Sequence, residues 1–174
     1  MKNMVIHTTI ACALLFLIFG GRWHNKKDHW SITIASKDEP GERMVVTGTV
    51  YAPDGKTPLQ GITVYVYHTD AKGYYNNKKG SEQKPRLNGT MTTNSSGQYE
   101  YRTIRPASYP DSRAVAHVHY VISGKGYKEQ YDELEFEGDP FLDGKKGKDR
   151  FSNIQPISKD KDGIWRCVKD IKMQ

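Results

Sequence analysis

Apolar and polar residues alternate along most of this chain from residue 44 onward. In the clearest case, 62–68, three aliphatic side chains alternate with one threonine and two tyrosines before a histidine. A period of two places successive side chains on opposite faces of a strand, so one face of this segment is purely aliphatic. The same reasoning predicts further strands at 44–52, 90–92, 98–104, 114–122, 133–136 and 164–171.

The connections between these strands are also readable. The runs 90–92 and 98–104 flank an Asn-Ser-Ser-Gly turn sequence at 94–97, which predicts a hairpin. Polar stretches at 76–86 and 141–160 predict long exposed loops. No segment shows a sustained helical period, and 16 glycines, 8 prolines and 11 tyrosines favour short strands joined by turns. We therefore predict an all-β fold, a β-sandwich of mostly antiparallel strands with Greek-key connections.

The first 21 residues do not share this pattern. A short positive start precedes an apolar run with its core at 10–19, and two glycines follow it. The run is short for a membrane span and its layout is typical of a secretory signal, but the bulky Ile18 and Phe19 make a poor cleavage site. We expect export to a secreted, periplasmic or cell-envelope location. The alternative is an uncleaved N-terminal anchor, which would be the only contact with a membrane.

The rest of the chain is predicted to be a polar linker at 22–42 and one domain at 43–174, because this length suits a single core. Cys12 lies in the N-terminal segment, so Cys167 leaves the domain without an internal disulfide. The net charge is +6, but the basic residues are scattered and there is neither a basic helix nor a zinc-finger spacing. A nucleic-acid partner is therefore not expected, although a positive field favours an anionic substrate.

A His-x-His pair, His117 and His119, stands inside the apolar run 114–122. On a strand both side chains share one face, where they can bind one metal ion, although a polar strand face explains an isolated pair equally well. No histidine follows His119, so a three-histidine zinc site would need His68 or a residue of the N-terminal tail. If a metal binds, we expect oxygen ligands to complete the site.

Tyrosine phenols are candidates for those oxygen ligands. A phenol has a pKa near 10 and is a poor ligand for most ions, but a hard trivalent cation can drive its ionisation. Fe(III) with two phenolates, one hydroxide and two neutral imidazoles is charge-balanced. Tyr75 ends the loop 70–75, and Tyr109 lies in a proline-containing connection before the histidine strand. Among eleven tyrosines, residue chemistry alone does not select these two.

A series of short motifs surrounds these residues. In chain order they are Gly48-x-Val50, Asp54-Gly55-x-x-Pro58-Leu59-x-Gly61, the segment 67–75, Thr93-Asn94-x-x-Gly97-x-Tyr99, Tyr109-Pro110, Ala116-His117-x-His119, Leu134-x-Phe136-x-Gly138-Asp139-Pro140 and Asp162-Gly163-x-Trp165. Over roughly residues 44–171, this series resembles the catalytic domain of intradiol ring-cleavage dioxygenases, the non-haem Fe(III) enzymes that open catechol-type rings.

The resemblance implies that Tyr75, Tyr109, His117 and His119 bind Fe(3+), and it selects Tyr75 over Tyr74. It implies that Tyr109 is the ligand that leaves when the substrate arrives and takes one of its protons. The expected substrates are a catechol-type ring and O2, and the expected product is a muconate-type dicarboxylic acid. No organic cofactor is implied.

The chain departs from the family's usual residues at several places. Ala114 stands where an arginine is usual, and Arg113 replaces it only if a local bulge re-aims the side chain; a surface arginine is the equal alternative. Glu133 stands where a glutamine is common near the site, a change that disfavours an anionic substrate. Tyr67 stands where tryptophan is usual. The segment between Tyr109 and the histidine strand is short, which trims one wall of the pocket.

Two other interpretations remain open. Transthyretin-like and carboxypeptidase-regulatory-like β-sandwiches share the Gly-x-Val and Asp-Gly-x-x-Pro-Leu-x-Gly motifs and act as binding modules. They have no use for two tyrosines and two histidines in this order, so the four candidate ligands favour the dioxygenase. A degenerate dioxygenase that binds iron without cleaving rings is the second alternative.

Overall fold

The protein is described here by a computed structural model covering residues 29–76 and 85–174. The predicted signal or anchor segment, 1–21, lies outside the described residues. In the described part no helix is long and apolar enough to cross a membrane. The elements are β1 (Ser31–Thr33), β2 (Arg43–Tyr51), β3 (Thr63–His68), β4 (Leu87–Thr92), β5 (Gln98–Ile104), β6 (His117–Gly124), β7 (Tyr127–Phe136), a short 3-10 helix (Pro140–Leu142), β8 (Ile154–Gln155), β9 (Ile157–Lys159), β10 (Trp165–Val168) and β11 (Ile171–Lys172).

These strands form two sheets. One has the order β1-β5-β2-β10-β9, with β11 also paired to β2, and the other has the order β4-β3-β6-β7-β8. The long ladders, such as β2 with β5 and β6 with β7, are antiparallel. Shorter parallel ladders join β1 to β5, β10 and β11 to β2, and β8 to β7. The predicted all-β sandwich is confirmed, with a mixed rather than purely antiparallel hydrogen-bond pattern.

The core lies between the two sheets and follows the predicted alternation. Val64 and Val66 are fully buried, as are Val118 and Ile122 on the neighbouring strand β6. Three tyrosines, Tyr99, Tyr101 and Tyr120, are buried with them, and their hydroxyls find polar partners within the core. Because side chains alternate along each strand, the residues between these core positions point to the outer face of the sheet. That outer face carries the two histidines.

The predicted hairpin between 90–92 and 98–104 is wrong. Both strands form, but β4 pairs with β3 while β5 pairs with β2, so they belong to opposite sheets. The turn between them is as predicted: the Asn94 side chain accepts hydrogen bonds from the backbone of Ser96 and Gln98, and Gly97 has a positive φ of 72°. A local turn motif defines where the chain reverses, but the partner of each strand is decided by distant segments.

The linker prediction is wrong for the described part of 22–42. Strand β1 lies in this range and pairs in parallel with β5, with Ser31 opposite Glu100. Ile32 and Ile34 pack against the core, and Ala35 is buried. The domain therefore begins before residue 43. An edge strand needs few inward side chains, which is why two isoleucines among polar residues suffice here.

The two C-terminal expectations need smaller corrections. Strand β7 begins at Tyr127 rather than at 133, and it forms a long hairpin with β6. The predicted strand 164–171 is divided into β10 and β11 by Lys169 and Asp170, both of which are buried. The predicted loop 141–160 contains the end of the 3-10 helix and two short strands.

Candidate metal centre

The two histidines lie side by side on the outer face of β6. Across the ladder, His119 is opposite Tyr67 on β3 and Glu133 on β7, and His117 is opposite Glu135. The ring centroids of His117 and His119 are 4.4 Å apart, and their Nε2 atoms are 2.9 Å apart. The period of two thus brings both imidazoles to one point, as expected.

Tyr75 reaches this point from a tight turn after β3. The Asp70 carboxylate accepts backbone hydrogen bonds from Lys72 and Tyr74, which closes the turn. Gly73 has a φ of 85°, and a Cβ placed on it would lie 2.1 Å from the Ser108 carbonyl oxygen. A glycine is needed here because its backbone packs directly against the segment that carries the second tyrosine. The close packing places the Tyr75 and Tyr109 hydroxyls 2.6 Å apart.

The four candidate ligand atoms converge. Besides the contacts above, the Tyr75 hydroxyl lies 2.8 Å from Nε2 of His119, and the Tyr109 hydroxyl lies 3.1 Å from Nε2 of His117. Metal–nitrogen and metal–oxygen bonds are roughly 2.0–2.2 Å long, so atoms bound to one ion lie about 3 Å from each other. The separations observed here fall in that range.

The tautomers of the two histidines indicate a cation. Nδ1 of His117 lies 2.6 Å from the Val115 carbonyl oxygen, which only accepts, so Nδ1 carries the proton and Nε2 presents a lone pair. Nδ1 of His119 lies 3.2 Å from a Glu133 carboxylate oxygen, and the same reasoning applies. Two lone pairs therefore face each other at the 2.9 Å Nε2 separation. A positive centre bound by both nitrogens relieves this repulsion, so the donor set fits a metal ion.

The electrostatics of the site agree with a neutral His119 and a protonated Tyr75 in the absence of a cation. Burial, followed by electrostatic repulsion from the nearby His117 ring, lowers the pKa of His119. Burial, followed by the hydrogen bond with Tyr109, raises the pKa of Tyr75 well above its usual range. A multiply charged cation reverses the second effect, because it stabilises the phenolate directly. Two phenols at one site therefore favour a hard, highly charged ion such as Fe(3+).

Glu133 positions His119 and is not suited to be a ligand of the same ion. His117, His119 and Glu133 together resemble a two-histidine, one-carboxylate metal site. However, the Glu133 oxygen contacts Nδ1 of His119, whereas the two tyrosines and His117 surround Nε2. A carboxylate that accepts the remote N–H of a metal-binding histidine fixes its tautomer and ring orientation. The predicted position of Glu133 near the site is therefore matched by a definite contact.

Two further supports were not anticipated. The Tyr67 ring stacks on the His119 imidazole with centroids 4.6 Å apart and an interplanar angle of 22°. Behind Glu133, the Asp132 carboxylate accepts the Glu133 backbone N–H and binds the fully buried Lys169 ammonium at 3.0 Å. The outward position of Tyr67 follows from the alternation of side chains at 62–68. Nothing in the local sequence marks Lys169 as buried.

Arg113 is exposed and does not reach the four converging side chains. Its guanidinium lies over the Phe141 ring, 5.5 Å from the ring centroid, and no contact in the described part of the chain joins it to the site. The expectation that Arg113 replaces the family's arginine is not met by this conformation.

A three-histidine zinc site that uses His68 does not form. His68 is fully buried on the core side of β3, where Nδ1 lies 2.7 Å from the Thr69 carbonyl oxygen and Nε2 lies 2.8 Å from the Thr103 hydroxyl. Both ring nitrogens are therefore occupied within the core. Of the other histidines, His29 lies exposed at the start of the described residues.

The fold and this site define a class: a β-sandwich with two tyrosines and two histidines converging on the outer face of one sheet. A model of the family described as Dioxygenase matches residues 19–148, which is most of the chain. Catechol 1,2-dioxygenase 1 of Acinetobacter lwoffii is 31% identical over 151 residues, covering 76% of this chain and 48% of that protein. The chain belongs to the intradiol ring-cleavage dioxygenase family.

Other relatives and solved structures agree. Chlorocatechol 1,2-dioxygenase of Rhodococcus opacus is 32% identical and covers 75% of this chain and 59% of its own length. The structure of catechol 1,2-dioxygenase from Acinetobacter sp. ADP1, inhibited by bound mercury, superposes with a TM-score of 0.68 at 23% identity, covering 83% of this chain and 57% of that one. This chain thus spans about half the length of these curated relatives.

A neighbour of similar size to this chain also exists. The dioxygenase domain of a dioxygenase–carbohydrate-binding fusion from the cellulolytic bacterium Streptomyces sp. SirexAA-E has a TM-score of 0.67 at 18% identity, covering 88% of this chain and 93% of that domain. At this identity the likeness concerns the fold alone.

Proposed function

We propose that this protein is a non-haem Fe(3+)-dependent dioxygenase that cleaves a catechol-type ring between its two hydroxyl-bearing carbons. Both atoms of O2 enter the product, a muconate-type dicarboxylic acid that also retains the two oxygens of the catechol. The observation that carries this proposal is the convergence of Tyr75, Tyr109, His117 and His119, with donor atoms 2.6–3.1 Å from their neighbours. The catechol 1,2-dioxygenases among the relatives support the reaction class.

The four converging side chains would hold the iron. Fe(3+) bound there would supply the Lewis-acid and redox chemistry that makes an electron-rich catechol ring reactive toward O2. The protein's own part is to present two neutral imidazoles in fixed tautomers and two phenols whose ionisation would offset two of the three positive charges. The contact of Val115 with His117 and that of Glu133 with His119 fix those tautomers.

Tyr109 is suited to accept a substrate proton. It lies in an irregular segment between β5 and β6, whereas Tyr75 sits in a turn closed by four contacts of Asp70. The Tyr109 oxygen can therefore move away from the ligand set with less disruption than the Tyr75 oxygen. As a phenolate it would take one proton from a catechol hydroxyl, which keeps the total charge of the site unchanged.

An iron-binding domain without ring cleavage is the second candidate. It is favoured by one observation, the position of Arg113 over Phe141, because it leaves the substrate without the nearby arginine that the family resemblance implies. A binding module of the transthyretin-like or carboxypeptidase-regulatory-like kind is disfavoured by the family membership and by the donor set.

Oxygen uptake by the iron-loaded chain over a panel of catechols, with product identification, tests the proposal. We expect about one iron per chain, a red-brown colour from phenolate-to-Fe(III) charge transfer, and an intradiol dicarboxylic acid as product. A coloured protein that consumes no O2 with any catechol would support the second candidate. A colourless protein that binds no iron after reconstitution would overturn both.

We further propose that the segment 1–21 directs export or anchors the chain in a cell envelope, as its apolar run suggests. Fractionation of cells that express the full chain, with N-terminal sequencing of the mature protein, tests this. Recovery of the chain with an intact N-terminus in the soluble cytoplasm would contradict it.

A further inference from the structure

Next to His119 the outer sheet face opens into a cavity of about 320 Å³. Its lining includes Tyr67, His119, Tyr131, Asp132, Glu133 and Asn153, and none of the described residues that line it is a lysine or an arginine. The Tyr131 side chain is 76% exposed, so it stands over the cavity without packing into the core. The cavity therefore combines aromatic surfaces with carboxylates beside a proposed iron ligand.

The charge at this wall is negative. Glu133 uses one oxygen to accept the N–H of His119, and its side chain remains 42% exposed. Glu129 and Glu135 lie on the same outward face of β7, because they are separated from Glu133 by even numbers of residues. Asp132 is already neutralised by the Lys169 ammonium, which is fully buried and faces away from solvent. Among the residues that the structure describes, no basic side chain of the cavity wall compensates Glu133.

The negative charge of Glu133 and its neighbours favours a cationic substrate, whereas the net charge of the chain alone would favour an anionic one. A net charge of +6 favours anionic substrates at long range, but salt screens that field within about 10 Å. Arg113, which the family resemblance suggested as the cation near the substrate, lies over the Phe141 ring instead. The charge that a substrate's ring substituent meets next to His119 is therefore that of Glu133 and its neighbours on β7.

We propose that the site selects catechols by the charge of their ring substituent, preferring a protonated amine, accepting a neutral group and disfavouring a carboxylate. This inference rests on the proposed function, because it assumes that a catechol binds at the Tyr75–Tyr109–His117–His119 centre. The aromatic rings of Tyr67 and Tyr131 provide faces for a cationic substituent, and Glu133 provides an opposite charge. A carboxylate in the same place is repelled by Glu133 and finds no cationic partner among the described residues of the lining.

The test compares three catechols that differ in substituent charge: 3,4-dihydroxyphenethylamine, 4-methylcatechol and 3,4-dihydroxybenzoate. The full iron-loaded chain is titrated with each under anaerobic conditions, and the dissociation constant is read from the change in the phenolate-to-iron absorption. Oxygen uptake with the same compounds then gives kcat/KM. Glu133 attracts the amine and repels the carboxylate. At a partly exposed site these two effects together correspond to about a tenfold or larger difference in dissociation constant between the two compounds. Added salt is expected to reduce the difference.

Two variants test whether the Glu133 charge causes the preference for the amine over the carboxylate. Glu133→Gln keeps an oxygen that accepts the His119 N–H but removes the charge, so the amine-to-carboxylate ratio should fall several-fold. Glu42→Gln, just before β2 and in contact with Lys159 and Trp165 of the other sheet, removes the same charge from the chain and should leave the ratio unchanged. Because each variant is read as a ratio between substrates, a change in iron content cancels.

The outcomes separate this inference from the proposed function. Binding in the expected order without O2 uptake supports the charge selection and contradicts ring cleavage. Cleavage of all three compounds with equal efficiency, or a preference for the carboxylate, overturns the charge selection and leaves ring cleavage intact. A ratio that is unchanged by Glu133→Gln also overturns it. If none of the three binds, both proposals fail.

Discussion

Glu133 Oε1 lies 3.2 Å from Nδ1 of His119, on the opposite side of the imidazole from the nitrogen that faces Tyr75 and His117. The carboxylate therefore acts on the proposed metal through the histidine. It determines which nitrogen of His119 has a lone pair, and it holds the ring in the plane that brings this lone pair to the other three donor atoms.

We predict that Glu133→Ala lowers iron affinity about 10- to 100-fold, as loss of a partner of a metal-binding histidine typically does. Glu133→Gln should retain most of the affinity, because its amide oxygen still accepts the N–H of His119. Competition with a chelator of known affinity measures both variants. Glu129→Ala, on the same face of β7, is the control and should bind iron normally. Equal losses in the Ala and Gln variants would show that charge, rather than orientation, is what Glu133 provides.

The two adjacent tyrosines of the Asp70 turn should differ sharply. Tyr75 points to the site, with its hydroxyl 2.8 Å from Nε2 of His119, whereas the Tyr74 side chain is 44% exposed. Tyr75→Phe should therefore lose iron and most of the visible phenolate-to-iron absorption, and Tyr74→Phe should keep both. Metal analysis and an absorption spectrum of each variant check this. Damage from Tyr74→Phe alone would mean that the register of this loop is wrong.

Gly73→Ala should disturb both stability and the site. The substitution places a Cβ 2.1 Å from the Ser108 carbonyl oxygen at a φ of 85°, so the Tyr75 turn must move away from the Tyr109 segment. We expect a loss of several kcal/mol in the free energy of unfolding, more than the roughly 1–2 kcal/mol for a positive φ alone, and weaker iron binding.

Gly61→Ala is the matched control for Gly73→Ala. Gly61 has a φ of 77°, but no atom of the described residues lies within 4 Å of a Cβ built on it. This variant should show only the cost of the backbone conformation and should bind iron normally. Denaturant unfolding and chelator competition on both variants separate the two effects. If the two alanine variants lose equal stability and bind iron equally, the packing of Gly73 on Ser108 does not support the site.

The sequence was sufficient to predict the parts of this protein that depend on local periodicity. The alternation at 62–68 and at 114–122 indicated which side chains face the core, and the structure places His117 and His119 together on the outer face. The approach of Tyr75 and Tyr109 was not derivable in this way, because the two segments meet through Gly73 and Ser108, which are far apart in sequence. There the family resemblance supplied what periodicity did not.

The remaining errors share a physical cause. The pairing of β4 with β3 and of β5 with β2 depends on how distant segments of the chain pack together, and the turn motif between β4 and β5 does not encode it. The burial of Lys169 depends on Asp132, 37 residues away. The position of Arg113 depends on the Phe141 ring, beyond the end of β7. Each is a contact between distant residues whose types are common on exposed surfaces.

Lys169→Met should strongly destabilise the fold. The Lys169 ammonium is fully buried and binds the Asp132 carboxylate and the carbonyl oxygens of Phe151 and Ser152. Removing it leaves a largely buried carboxylate without its cation, which typically costs roughly 3–5 kcal/mol. Denaturant unfolding measures the loss. The double variant Lys169→Met with Asp132→Asn removes both charges and should recover part of the stability. If the double variant is no more stable than Lys169→Met alone, the unpaired Asp132 carboxylate is not what destabilises that variant.

His68 should make the stability of the protein depend on acid pH. Burial of its ring in the core lowers the pKa of His68 from 6.5 to about 4. In the unfolded chain the same imidazole takes up a proton near pH 6.5, so between that pH and about 4 the unfolded state binds more protons than the folded state. The free energy of unfolding should therefore fall as the pH decreases through this window, by roughly 3 kcal/mol from this residue alone, and the contribution should level off below pH 4.

A His68→Gln variant isolates this contribution from the carboxylates that titrate in the same range. Its side chain can keep a hydrogen bond to Thr103 or to the Thr69 carbonyl but does not gain a proton. We expect it to be less stable than the parent near pH 7, where the buried neutral histidine makes both contacts, and to lose less stability on acidification. Denaturant unfolding at several values between pH 7 and pH 4 gives the difference in slope. Parallel slopes for the two proteins would mean that His68 takes up its proton without unfolding, so that its buried contacts with Thr69 and Thr103 tolerate the charge.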